Sequence, residues 1–119
     1  MINSIAHLIK KIFFSNRHSR ILNKTLEISF DPHSSWGAAI GDKLQRKYIN
    51  ISISESKEYV SEIYEVKSFA IKLFDEQSKL FLSEKESDKW RSDMKSQHPW
   101  ITKKNIVKLY SQTIYYLHK

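Results

Sequence analysis

The chain has no cysteine, which excludes a disulfide framework, a thiolate nucleophile and any zinc site built on sulfur. Glycine and proline occur only twice each. That scarcity argues against a turn-rich sandwich, a collagen-like chain or a glycine-rich phosphate loop. No apolar run approaches the roughly 18 uninterrupted residues of a membrane-spanning helix. The apolar stretch at residues 1–14 also lacks the marks of a secretory signal. No positive charge precedes it, Lys10 and Lys11 interrupt it, and no small-residue cleavage site follows. A cytoplasmic protein is the expectation.

The 119 residues are 40% hydrophobic and 13% aromatic, enough for one core, and we expect a single domain over 1–119. The net charge of +7 is unevenly spread. Residues 1–26 carry Lys10, Lys11, Arg17, Arg20 and Lys24 with no acid. Residues 95–119 carry Lys95, Lys103, Lys104, Lys108 and Lys119, again with no acid. Between them, residues 55–94 hold ten acids against seven bases. Two basic ends thus flank a mildly acidic middle.

Hydrophobic spacing predicts a mainly α protein with a minor β element: about five helices around one core, plus two short strands. Ile2, Ile5, Ile9, Ile12 and Phe13 mark an amphipathic helix over 3–15, followed by a polar, basic connector at 15–20. Leu26, Ile28 and Phe30 alternate with polar residues and read as a strand ended by Pro32. Ser34 or Ser35 would cap a short helix bearing Trp36, Ile40 and Leu44. The alternation of Ile49, Ile51 and Ile53 reads as the second strand. A long central helix should carry Tyr59, Ile63, Val66, Ala70 and Leu73, although residues 57–66 also suit a strand. Ser83 and Glu86 have capping-box spacing, opening a helix through Trp90 and Met94 that stops before Pro99. Thr102 should cap a last helix whose apolar face is Ile106, Leu109, Tyr110, Thr113, Ile114 and Leu117. No internal repeat is visible.

Catalytic constellations are weak. Asp31, His33, Ser34 and Ser35 bring an acid, an imidazole and two hydroxyls together, but no glycines shape a nucleophile turn around them. Strand exit and helix cap explain them better. None of the five histidines is paired at three- or four-residue spacing, so no helix-borne metal site is expected. The carboxylates Glu84, Glu86, Asp88 and Asp93 alternate with Lys85, Lys89 and Arg91, as on a solvated helix face. Gly37 and Gly41 lie four apart, a spacing that suits close packing of a helix neighbour. We therefore expect no enzyme, no cofactor and no metal.

Two binding functions remain. The first is a small protein inhibitor of the toxin-immunity or antitoxin type, which occludes the active or substrate-binding surface of a partner protein such as a nuclease. Its anchors would be Trp36, Trp90 and Trp100, with the acidic group Glu84, Glu86, Asp88 and Asp93 facing a basic partner. The second is a nucleic-acid-binding module using Lys10, Lys11, Arg17, Arg20, Lys103, Lys104 and Lys108. Its surface would be continuous only if the two basic ends meet. The lysine-bearing segment 3–15 also suits peripheral contact with anionic lipid, a reading ranked below its docking on the core. The inhibitor is the leading expectation, because only four of the twenty basic residues are arginine.

Overall fold

The computed structural model describes residues 15–32, 37–77 and 82–117. The expected helix over 3–15, Lys10, Lys11, Trp36 and the caps at Ser34 or Ser35 fall outside the described residues, apart from Ser15 at the edge. Within those residues there are five helices: α1 (Ser15–Ser29), α2 (Gly37–Lys47), α3 (Ile53–Gln77), α4 (Glu84–Gln97) and α5 (Lys103–Leu117). The long α3 is the centre, and each of the other four packs on it. In addition, α1 touches both α2 and α5. One cluster of buried side chains draws on all five helices, from Ile21, Leu22 and Leu26 through Ile63, Val66 and Phe74 to Trp90, Met94 and Leu109. Each such side chain contributes roughly 1.5–3 kcal/mol on burial. No described helix is long and apolar enough to cross a membrane.

The two expected strands are absent from the described residues, so the α+β class is corrected to all-helical. The first lies inside α1. That helix buries Ile21, Leu22, Thr25, Leu26 and Ser29, a set with helical spacing. Thr25 Oγ1 donates to the Ile21 carbonyl (2.6 Å) and Ser29 Oγ to the Leu26 carbonyl (2.6 Å). With their hydroxyls satisfied one turn back, both residues pack inward. Their polarity in the sequence hides the stripe and leaves the accidental alternation of Leu26, Ile28 and Phe30 in view. The connector at 15–20 is likewise corrected: it is the opening of α1.

The second expected strand is a corner between helices. Only its middle residue faces the core: Ile51 is 4% exposed, against 91% for Ile49 and 64% for Ile53. Ser52 then opens α3 by reciprocal bonds, its Oγ accepting from Glu55 N (3.1 Å) and its own N donating to Glu55 Oε1 (3.3 Å). Residues 57–66 are helical throughout.

This corner is built twice. Tyr48 N donates to the Leu44 carbonyl, Ile51 N to Tyr48 and Ser56 N to Ser52; fifty positions later His98 N donates to Met94, Ile101 N to His98 and Ile106 N to Thr102. Ile51 and Ile101 are the buried plugs, and Ser52 and Thr102 the hydroxyl caps. The two corners thus share their backbone bonds and these two side-chain roles.

Among the described residues, the helices expected around Ile40 and Leu44, along the long centre, after Ser83 and after Thr102 are present as α2, α3, α4 and α5. The capping box at Ser83 and Glu86 opens α4, whose buried residues are Trp90 and Met94. Thr102 Oγ1 accepts from Asn105 N (3.3 Å) at the start of α5. Gly41 is a close approach: a Cβ there would lie 3.0 Å from Ser56 Oγ on α3.

Candidate functional site

Two helices far apart in sequence lie side by side. Asn105 Nδ2 donates to Asn23 at its Oδ1 (2.9 Å) and its backbone carbonyl (3.3 Å), and Gln112 Nε2 donates to the Phe30 carbonyl (3.0 Å). These bonds all span 82 residues. A constant offset between helices of equal rise makes α1 and α5 parallel neighbours. Asn23 also ties the second corner, through Nδ2 to the Trp100 carbonyl (2.8 Å) and Oδ1 from Thr102 N (3.1 Å).

Both helices rest on α3. The Tyr59 hydroxyl is hydrogen-bonded to His18 Nδ1 at 2.7 Å, Lys67 Nζ donates to the Ser29 carbonyl at 3.1 Å, and the Tyr110 ring lies 5.7 Å from that of Phe74. Their exposed sides therefore point the same way, away from α3. On α1 that side carries Arg17, Arg20 and the half-buried Lys24, at three- and four-residue spacing. On α5 it carries Lys104, Lys108 and Tyr115, with Lys103 and Val107 at its edge. Glu27 is the only acid in the two helices. The fold thus sets the helix of Arg17 and Arg20 beside the helix of Lys103, Lys104 and Lys108.

At the α1 end of this face, between α1 and the first corner, is a cleft of about 370 Å³ lined by Arg17, Arg20, Ile21, Tyr48, Ile49 and Asn50. Two of the chain's four arginines meet here. No sequence signal marked Tyr48, Ile49 and Asn50 as site residues: Ile49 and Asn50 read as a strand, and Tyr48 continued the spacing of Ile40 and Leu44. Lys24 was visible only as part of the basic block at residues 1–26.

Burial acts on two titratable groups near this layer. Desolvation raises the Tyr59 hydroxyl above its ordinary value, against the opposing pull of Arg17. Desolvation also lowers the Lys67 ammonium, which lies over the Phe30 ring at 5.8 Å.

Of the residues expected to anchor a protein partner, Trp36 lies outside the described residues, and Trp90 and Trp100 sit differently in the fold. Trp90 is 2% exposed, donates from Nε1 to the Ala70 carbonyl (3.1 Å) and packs edge-on against Tyr110 at 5.1 Å, so it belongs to the core. Trp100 is half-buried beside His98 at 6.3 Å. Of the α4 carboxylates, Glu86 is held in the capping box and Asp88 is bonded to Arg91 at 2.5 Å. Glu84 is exposed and Asp93 half-buried, among Lys85, Lys89 and Arg91. His98 is buried against Phe69, 4.0 Å from Glu62. Among the described residues no three histidine or carboxylate side chains gather as metal ligands would.

No family model, curated protein or solved structure matches this chain.

Proposed function

We propose that the chain binds nucleic acid through the joint outer face of α1 and α5. The observation that carries this reading is the parallel pairing of the two helices, one bearing Arg17, Arg20 and Lys24 and the other Lys103, Lys104 and Lys108, with a single acid, Glu27, between them. Cations on such a face replace the counterions condensed on a phosphate backbone, and the released ions drive binding. The protein-inhibitor reading has less to stand on, because Trp90 is core and the α4 acids are interleaved with bases.

The test is titration of labelled duplex and single-stranded oligonucleotides over a range of salt. If all six cations engage, log K against log salt falls with a slope near −5 on duplex DNA. Replacing Lys103, Lys104 and Lys108 together by Gln should flatten that slope by about 3 and leave the fold intact, since all three are exposed. Affinity that is absent at low salt, or indifferent to salt, refutes the mechanism; capture of a protein partner in its place would return the inhibitor reading.

A further inference from the structure

We infer that the cleft between α1 and the first corner holds an unpaired base, so that the protein selects single strands over duplex. The inference rests on the nucleic-acid reading of the α1–α5 face and assigns the end of that face a separate task. The cleft, about 370 Å³, is within the size range of small-molecule sites. Its walls differ in chemistry. Its apolar lining includes Tyr48, half-buried against the core, and Ile49, 91% exposed. Its polar lining includes Arg17, Arg20 and Asn50, a residue whose amide both donates and accepts. An apolar side chain left this bare beside two guanidinium groups suits a ligand with a flat apolar face and negative charge close by. A nucleotide has both.

A base inside a duplex offers only its edge, because its faces are covered by its neighbours, whereas an unpaired base can be splayed into a cleft and stacked. The arginines add to the argument. The chain's cations are mostly lysine, yet two of its four arginines line this cleft, and guanidinium both grips phosphate and stacks on rings. With the 82-residue offset, Tyr115 lies roughly 24 Å along the shared axis from Arg17. The face therefore runs from a base-holding cleft, past Lys24, Lys104 and Lys108, to an exposed tyrosine 71% accessible at the far end. That length accommodates a strand of a few nucleotides.

The experiment measures fluorescence anisotropy of a labelled single-stranded oligonucleotide about eight nucleotides long, and of the matching duplex, on two variants. Ile49→Glu places an anion in the cleft from a position that contributes nothing to the core, and Tyr48→Ala removes the stacking ring. The wild type should bind the single strand more tightly. Either variant should lower that affinity roughly 5- to 150-fold, the cost of one lost stacked base, and should lower duplex affinity by a smaller factor, least in Tyr48→Ala, which leaves the charge of the face unchanged. Equal losses on both oligonucleotides, or a single strand bound by Ile49→Glu as by wild type, overturns the cleft assignment and leaves the basic face standing. A wild type that binds neither oligonucleotide overturns both.

Discussion

Replacing Asn23 by Ala tests the joint that holds α1 against α5. The Asn23 side chain is almost fully buried and serves four partners: the carbonyls of Ser19 and Trp100, the N–H of Thr102 and the amide of Asn105. The Ser19 carbonyl lies within α1 and loses little. The Trp100 carbonyl and Thr102 N–H are in a corner rather than a ladder, and each loses the partner seen here. A buried polar group left unpaired costs roughly 1–3 kcal/mol, and partial burial of these two places the sum at about 2–4 kcal/mol. For a chain of this length the thermal midpoint should fall by about 10 °C. Asn105→Ala should cost less. Its amide Oδ1 is buried with no hydrogen-bond partner among the described residues, so truncation also removes an uncompensated acceptor. Urea unfolding followed by tryptophan fluorescence gives both values, and the double variant closes a cycle with a coupling near 1 kcal/mol. An Asn23→Ala cost below about 1 kcal/mol, an Asn105→Ala cost as large as that of Asn23→Ala, or zero coupling would each refute the reasoning.

Ser52→Ala and Ser83→Ala each remove the hydroxyl of a reciprocal cap and should each destabilise by about 0.5–2 kcal/mol, read by the same urea titration; no change at either would mean that the caps are dispensable. Tyr59 gives a pH signature. Its folded pKa is raised above 10.0 by burial, so above about pH 10 the unfolded chain releases a proton that the folded chain keeps. Its contribution to stability is therefore complete below pH 10 and is lost as pH climbs through the folded value. Tyr59→Phe should lose the bond to His18 and flatten that alkaline decline; a decline unchanged in the variant places its origin elsewhere.

How much of this was legible in the sequence depends on what fixes each element. The helices α4 and α5 announce themselves locally, through Ser83 with Glu86, Thr102, and stripes such as Ile106, Leu109 and Thr113. Helix α1 was hidden because Thr25 and Ser29 count as polar by composition yet are buried once their hydroxyls bond to their own helix. The first corner was hidden because one buried isoleucine between two exposed ones has the alternation of a strand. The basic face was legible only as two separate charge blocks. What joins them is a pairing across 82 residues, and no local pattern carries that distance. The cleft goes further still, since it joins arginines on α1 to a corner that the periodicity had assigned to a sheet.

The parallel pairing of α1 and α5 has a thermodynamic consequence. Their contact closes the longest loop in the described fold, and loop closure costs conformational entropy before the contact returns anything. Neither helix alone presents the joint face, so the face is a property of the completed fold and of no smaller part. On the proposed reading, a polyanion lying across both helices would act as a staple on that loop. It would bind the folded chain and find no equivalent surface on the unfolded one, so its occupancy and the stability of the whole molecule would rise and fall together.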